Sequence, residues 1–484
     1  MTAWEPVIGI ETHVELQTES KMFCGCPVDF GDEPNTAVCP VCLALPGALP
    51  VVNEEAIEGI LSIGDSLNCT LTETSLFYRK NYFYPDLPKN FQISQYTFPL
   101  CVDGHIEVDV DGEAVRIGIT RVHMEEDTGK SLHQGDTGRI HGADTTLLDF
   151  NRAGVPLVEI VSEPDIRSAD EARAYGAELQ RVVRTLGVSD AKLEEGSMRF
   201  DANVSIRPAG SETLGTRTEV KNVNSLRSLH RAIDFEIERQ IEVLDGGGVV
   251  DQETRHWNEG SGVTTAMRSK EESEDYRYFQ EPDLLPLFID EEWRRRVHSR
   301  RPELPADKRA RFSDLGADTQ TAALLVDSPE LATLYEGAIA GGADPRTIGI
   351  WLTGEVVAYL RRHETTIEAT GIGAADLIEL AAMTSENSLS ATAAKEVLGG
   401  VLAGEGNPEA VAQARDLLLI SDTGEIESAV DAVLGENDDA VQKIRGGDMK
   451  PVGFLVGQVM QATGGRADPK IVQELVRAKA TDSQ

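Results

Sequence analysis

Residues 7–16 read VIGIETHVEL. Successive side chains of an extended strand point to opposite faces, so Ile8, Ile10, Thr12, Val14 and Leu16 share one side and Glu11, His13 and Glu15 the other. One side suits a core. The other sets two carboxylates around an imidazole, either a donor set or a solvated surface. RIGITRVHMEED (116–127) is a second strand-like run, again ending in histidine and acids. Asp-Gly pairs at 103–104 and 111–112 punctuate CVDGHIEVDVDGEAVRIGI (101–119) and predict turns, hence hairpins in an antiparallel sheet.

Two helices interrupt the strands. One starts at Ser168, with Glu171 three residues on as a capping box, and runs through EARAYGAELQRVVRTL to Gly187. The other runs from about Ser225 to the glycines at 246–248. Composition shifts after EPDLLPLFID (281–290). Arg294, Arg295, Arg296, Arg300, Arg301, Arg309 and Arg311 form a local basic stretch, either a nucleic-acid contact or helix-surface ion pairs. The remainder is rich in Ala, Leu and Glu, broken at Gly341-Gly342 and Asn407-Pro408. Its last helix begins at Asp468-Pro469, a cap followed by proline at the first helical position. The expected class is α+β: a mixed sheet and helix domain over 1–292, a helical domain over 293–412 and a small helical tail over 413–484.

The chain has 484 residues, 45 Lys plus Arg against 82 Asp plus Glu, and a formal net charge of −37. Apolar residues make up 40%, enough for more than one core, which argues against disorder. No apolar run approaches the roughly 18–20 residues that span a bilayer, and the start lacks a basic segment followed by an apolar one. A soluble, cytoplasmic protein without a membrane partner is expected. The charge either repels polyanions or adapts the surface to molar salt, where screening acts within about 3 Å. The acids are spread along the whole chain and lysine is scarce beside arginine, which favours salt adaptation.

Four of the six cysteines lie in FCGCPVDFGDEPNTAVCPVC (23–42), as Cys24-x-Cys26, twelve residues, then Cys39-x-x-Cys42. Two thiolate pairs satisfy tetrahedral zinc and leave no open position, which makes the site structural; reduced structural cysteines or a redox pair are the alternatives. Cys69 and Cys101 read as packing residues. Glu11, His13, Glu125, Glu126 and Glu159 offer oxygens and an imidazole for Mg²⁺ or Mn²⁺, against a plain reading as solvated surface. His123 reads as a structural or surface histidine. YRKNYFYPDLPKNFQISQ (78–95) alternates aromatics with Lys80, Asn81, Lys89, Asn90 and Gln92, either a nucleotide-facing wall or a buried strand. KLEEGSMRFDANVSIRP and TRTEVKNVNSLRSL, with Glu194, Glu195, Arg199, Asp201, Asn203, Lys221 and Asn222, line a cleft or form one solvated sheet face. There is no G-x-x-x-x-G-K-[ST], H-E-x-x-H, G-x-S-x-G or dinucleotide glycine fingerprint, so phosphate chemistry here is not of the P-loop type.

These residues sit in longer motifs. VIGIETHVELQTESKMF, LPGALPVVN, RKNYFYPDLPKNFQISQ, GITRVHMEEDTGKS, LVEIVSEPDIRS, KLEEGSMRFDANVSIRP, EVKNVNS, DYRYFQEPDLLPL and GFLVGQVMQATGGRADP occur in order from end to end. In them the chain resembles the B subunit family of the aspartyl/glutamyl-tRNA(Asn/Gln) amidotransferases, which are heterotrimers. The resemblance implies a cradle-like α+β domain, a helical domain and a tail similar to the YqeY fold. It implies a kinase that uses ATP and Mg²⁺ to phosphorylate the side-chain carboxylate of mischarged Asp-tRNA(Asn) or Glu-tRNA(Gln), after which ammonia displaces the phosphate. Ammonia would arrive through a tunnel from an amidase partner, with a small third partner as a brace. On this basis Glu11, His13, Glu125, Glu126, Glu159 and Lys80 are expected to be catalytic, with Glu11, His13, Glu126 and Glu159 as Mg²⁺ ligands. Lys89 and Asn81 are expected to contact the nucleotide, with Lys80 and Lys89 open to a tunnel role. Some members of that family lack the four cysteines, which implies that Zn²⁺ at Cys24, Cys26, Cys39 and Cys42 serves the local fold. The tail, by the same likeness, is a candidate for tRNA contact.

Overall fold

VIGIETHVEL forms the heart of a strand, β1 (Trp4–Glu15), and its burial alternates: Ile8, Ile10, Thr12 and Val14 are inside, while Glu11, His13 and Glu15 are half-buried on the opposite face. The computed structural model describes residues 3–28, 31–134, 144–269, 276–420 and 423–481. Asp29 and Phe30 of the cysteine loop and Asp275 of DYRYFQEPDLLPL lie outside the described residues. Two units are present, Met1–Pro305 and Ala306–Gln484. No helix among the described residues is long and apolar enough to cross a membrane.

The first unit holds the sheet. After β1 come β2 (Thr70–Leu71), β3 (Thr74–Ser75), β4 (Tyr78–Asn81), β5 (Phe91–Ser94), β6 (Cys101–Val110), β7 (Glu113–Glu126), β8 (Lys130–Gln134) and β9 (Thr145–Asp149). Then follow β10 (Pro156–Ser162), β11 (Met198–Pro208), β12 (Thr218–Val223), β13 (Glu253–Asn258), β14 (Val263–Ser269), β15 (Phe279–Gln280) and β16 (Leu287–Phe288). A twelve-stranded sheet runs β14-β13-β12-β11-β1-β10-β7-β5-β4-β15, with β6 against β7 and β2 against β6. Its pairings are antiparallel except β12 with β13.

Helices α1 (Glu54–Ser66), α2 (Ala169–Leu186) and α3 (Leu226–Asp245) cover the apolar face. Ser168 caps α2 by accepting from the Glu171 N–H, and the Glu171 carboxylate accepts at 2.7 Å from the N–H of Arg167, one residue before the cap. Gly187 ends the helix at φ 68°. Ser225 caps α3, which stops at Gly246. Ile8, Ile10 and Val14 meet Ile57, Ile60, Tyr175, Leu179, Leu229 and Ile233 in one core, where each fully buried aliphatic side chain contributes about 2 kcal/mol. At Gly176 α3 comes so close that a Cβ would lie 2.9 Å from Leu226 Cδ2.

One of the two expected turns is not a turn. Asp111-Gly112 joins β6 to β7, with both residues at positive φ (54° and 88°). Asp103-Gly104 instead lies inside β6. Asp103 takes φ 55°, and a Cβ on Gly104 would stand 2.6 Å from the Leu67 carbonyl oxygen and 2.3 Å from Cys69 Sγ. The glycine there answers to a close backbone approach, which a sequence cannot distinguish from a turn.

The basic stretch is largely committed to carboxylates. On α4 (Glu291–Arg300), Arg294 reaches Glu73 at 3.8 Å and Arg296 donates to Glu58 at 3.0 Å; just beyond the helix, Arg301 reaches Asp65 at 3.2 Å. Arg311, in the second unit, pairs with Glu336. These are the helix-surface ion pairs, and α4 lies within the first unit. The second unit is built of short helices around two apolar clusters, one spanning Phe312 to Ala412 and the other Ile426 to Ala480. Cys101 is fully buried and Cys69 partly so against the same core as β1, in keeping with packing roles.

Substituting Gly104→Ala is expected to lower stability by about 1–3 kcal/mol, the usual cost of forcing an extra group into a packed site. The midpoint of urea unfolding measures it; an unmoved midpoint would show that β6 has no need of glycine here.

Candidate functional site

Strand register assembles the site. Pairing of β1 with β10 puts His13 opposite Glu159, and pairing of β10 with β7 puts Glu159 opposite His123 and Leu157 opposite Glu125. On the other flank of β1, β11 sets Asp201 opposite Glu11 and Arg199 opposite His13, and β12 sets Glu219 opposite Asn203. Two donor groups result. Ligand atoms of His13, Glu125 and Glu159 lie within 4.8 Å of one another, and so do those of Glu11, Asp201 and Glu219.

The first group is deeply buried and strained electrostatically. Burial, with Glu125 and Glu11 nearby, pushes the Glu159 carboxyl well above its ordinary range. Burial also opposes ionisation of Glu125, but Lys80, at 3.7 Å, outweighs it and holds that carboxyl down. Lys80 in turn stays protonated: burial works against its charge, and Glu125 more than compensates. Burial keeps His13 and His123 neutral, leaving lone pairs for a cation. His123 Nε2 stands 3.4 Å from Glu159 Oε2 and 3.8 Å from Glu125 Oε1, yet neither ring nitrogen has a hydrogen-bond partner among the described residues. Crowded carboxylates beside neutral imidazoles fit a divalent ion of the kind that takes oxygen and nitrogen ligands. The second group, all carboxylate, fits a hard cation such as Mg²⁺.

The expected ligand set is therefore divided. His13 and Glu159 come together with Glu125, while Glu11 joins Asp201 and Glu219. Glu126 enters neither group, because it follows Glu125 on a strand and points the other way. There it pairs with Lys89 and accepts from the Ile93 N–H at 2.9 Å. Asn81 turns to the backbone, donating to the carbonyls of Tyr276 at 3.1 Å and Arg277 at 2.9 Å. His123, Asp201 and Glu219 complete the picture. His123 stands two residues before Glu125 and Glu219 two before Lys221, the signal by which alternation could have found both.

Behind this face lies the cysteine loop. Cys24, Cys26, Cys39 and Cys42 are free thiols whose sulfurs fall within 4.8 Å of one another. Cys39 and Cys42 Sγ are 3.9 Å apart. A tetrahedral ion about 2.3 Å from each sulfur spaces them about 3.8 Å apart, so the donors fit Zn²⁺. The Cys24 thiol and then the Cys39 N–H, with Lys21 nearby, bring the Cys42 thiol down to about 5 against burial. Lys21, which no sequence pattern marks, is fully buried and ties the loop down by donating to Ala37 O at 2.8 Å and Phe150 O at 3.3 Å. A cavity of about 170 Å³ lies between Cys24 and Cys42 on one side and Lys89, Glu126 and Arg79 on the other.

A sheet face that gathers carboxylates, neutral imidazoles and paired cations has the donor chemistry of an enzyme site and not of a packing surface. Comparison with known proteins narrows this. Residues 6–295 match the GatB/GatE catalytic domain and residues 333–479 the GatB domain. The B subunit of the aspartyl/glutamyl-tRNA(Asn/Gln) amidotransferase of a Nocardioides species is 48% identical over 99% of this chain and 97% of its own. The proteins of that name from Salinispora arenicola (51%; 98% of this chain, 96% of its own) and Carboxydothermus hydrogenoformans (45%; 99% of each) are similar along their whole lengths. The chain belongs to the B subunit family of the aspartyl/glutamyl-tRNA(Asn/Gln) amidotransferases, a family of ATP-dependent ligases.

Removing one member of a buried ion pair costs roughly 3–5 kcal/mol, because the other charge is stranded. Lys89→Met is expected to lose that much stability, and Lys89→Met combined with Glu126→Gln to recover most of it. A double-mutant cycle in urea measures the coupling; additive losses would mean that the pair is not formed.

Proposed function

We propose that this chain is the kinase and transamidation component of a glutamine-dependent aminoacyl-tRNA amidotransferase. A side-chain carboxylate oxygen of Asp or Glu esterified to tRNA attacks the γ-phosphorus of ATP, and ADP leaves. Ammonia from an amidase partner then attacks the acyl carbon and expels phosphate, giving Asn-tRNA(Asn) or Gln-tRNA(Gln). The observation that carries this reading is the pair of donor groups set side by side by β1.

His13, Glu125 and Glu159 would hold one Mg²⁺, and Glu11, Asp201 and Glu219 a second. Bound there, such ions offset the repulsion between carboxylate and triphosphate and the charge that develops in transfer. Lys80 adds a fixed positive charge beside Glu125 and keeps that carboxylate ionised for its ligand role. Neutral His13 and His123 supply donors without adding positive charge that would repel a cation.

A cavity of about 570 Å³ opens beside Glu11. Val7, Pro164 and Leu214 give it apolar walls, with Ser162, Ser205 and Arg217 as polar contacts, a lining suited to adenosine. The smaller cavity at Lys89 and Glu126 supports a tunnel segment, since its polar wall suits ammonia. Zn²⁺ at the four cysteines is structural in this reading: all four positions are protein ligands. The domain roles follow, with the first boundary moved from 292 to Pro305 because α4 belongs to the first unit: the first unit is catalytic, the helices from there to 412 a helical connection, and 413–484 a tRNA-binding tail. An amidase and a small third protein complete the heterotrimer, and the net charge of −37 supports a salt-adapted surface.

The test is amidation by the reconstituted complex with Asp-tRNA(Asn) and Glu-tRNA(Gln), from moderate to molar KCl. Glu125→Gln and Glu159→Gln should abolish ATP-dependent amide formation while the complex still hydrolyses glutamine. Normal amidation by either variant would remove the metal assignment, and a steep loss of activity toward molar salt would remove salt adaptation. For zinc, elemental analysis of Cys39→Ser/Cys42→Ser protein should show the metal gone; unchanged content would sink the site.

A further inference from the structure

Each end of the polar face of β1 opens into a cavity. The one at Glu11, given above to adenosine, is also lined by Val7, Gly9 and Val161. A second cavity, of about 530 Å³, lies at the other end, lined by Glu15, Val155, Arg152 and part of β8. Glu11, His13 and Glu15 point the same way, so His13 stands midway, about 7 Å along the strand from each acid at about 3.3 Å per residue. Register across the sheet agrees. Glu11 and Val161 share one row, His13, Glu159 and His123 the next, and Glu15, Leu157 and Glu125 the third. The His13–Glu125–Glu159 group therefore fills the second and third rows, between the Glu11 cavity and the Glu15 cavity.

Direction of transfer selects what enters the second cavity. Displacement at phosphorus keeps the attacking and leaving oxygens roughly in line. With the nucleotide at the Glu11 end, ADP departs toward that end and the attacking oxygen enters from the Glu15 end. Charge makes the same choice. Five acids, Glu15, Glu194 and Glu195 among them, outnumber Lys130 and Arg152 in the lining, a surface that repels a triphosphate. Among the described residues no three of these acids bring ligand atoms within 4.8 Å of one another, so they do not converge on a cation. An aminoacyl ester offers what such a wall attracts, an α-ammonium a short carbon chain away from the side-chain carboxylate. Glu195 is taken by Lys192 at 3.0 Å, and Arg152 by Asp127 at 3.7 Å and the Thr128 carbonyl at 3.0 Å. Glu194 and Lys130 are exposed and have no ion-pair partner among the described residues. Leu132, two residues after Lys130 on β8 and 40% exposed, adds an apolar surface for a sugar or base.

We propose that the cavity at Glu15 receives the aminoacylated 3′ end of the tRNA, with its α-ammonium toward Glu194 and its terminal phosphate toward Lys130. The side-chain carboxylate then extends toward His13 and Glu159. One of its oxygens forms the bond to the γ-phosphorus as the bond from phosphorus to the ADP oxygen breaks, and the electron pair leaves with ADP. The inference rests on the kinase reading and the nucleotide placement above.

The test compares Asp-tRNA(Asn) with the same tRNA acetylated on the α-amino group, using the reconstituted complex. In the wild type, acetylation is expected to raise KM roughly 10- to 100-fold, the scale of a hydrogen bond to a charged group. Glu194→Lys should raise KM for the free substrate by a similar factor and remove the difference between the two. Lys130→Glu should raise KM for both alike, and KM for ATP should stay unchanged in each variant. Equal KM for free and acetylated substrate in the wild type, or an unmoved KM in Glu194→Lys, would overturn the assignment. A loss seen as raised KM for ATP would overturn it too, by placing the nucleotide in this cavity. Absence of ADP formation by the wild-type complex with Asp-tRNA(Asn) would instead strike the kinase reading itself.

Discussion

The placement of β1 between β10 and β11 is the constraint on which the first unit depends. One strand meets two demands at once because its side chains alternate: the residues that anchor the helix-covered core are interleaved with those that hold the donor groups. Glu11 and His13 cannot move without shifting Ile10, Thr12 and Val14, and a slip of one residue would exchange the two faces. The core therefore sets the geometry of the site. Antiparallel pairing then brings in partners from distant parts of the chain: Glu159 from one side, Asp201 and Arg199 from the other.

Around these residues the cost of buried charge governs the arrangement. Lys80, Lys89, Arg199 and Lys221 each stand beside a carboxylate, so charges removed from water find opposite charges or hydrogen bonds. Where two acids meet, one gives way. Glu15 is pushed up to about 8 by burial and Asp127, while Arg199 and Arg152 hold Asp127 at about 2 against burial. Glu159 and Glu125 stand in the same relation within the first donor group, and a cation there relieves both. The overall excess of acid is a poor guide to such a place. What matters locally is which carboxylate stands beside which cation.

Much was legible in the residue order. The alternation of VIGIETHVEL marked both the core and the donor strand, Ser168 and Ser225 marked helix starts, and the spacing of Cys24, Cys26, Cys39 and Cys42 marked a fourfold thiol site. These signals are local: they depend on strand period, capping chemistry and loop closure over a few residues. The motifs in order carried the family, and with it the expectation of a kinase. The basic stretch after residue 293 was ambiguous for a different reason. An arginine on a helix reads the same whether its partner is Glu58 or a phosphate, and only packing of α4 against α1 separates the two.

The sequence by itself determined which strand faces are apolar, where helices begin and end, that four cysteines converge and to which family the chain belongs. Only the tertiary structure decided how the carboxylates are grouped. Glu125 and Glu126 are neighbours in the chain, yet one joins His13 and Glu159 and the other turns to Lys89 on the reverse face. Asp201 and Glu219 reach Glu11 through the pairing of β1 with β11 and β11 with β12. His123 became central for the same reason. Register between strands far apart in sequence is fixed by packing of the whole sheet against its helices, and no local pattern encodes it.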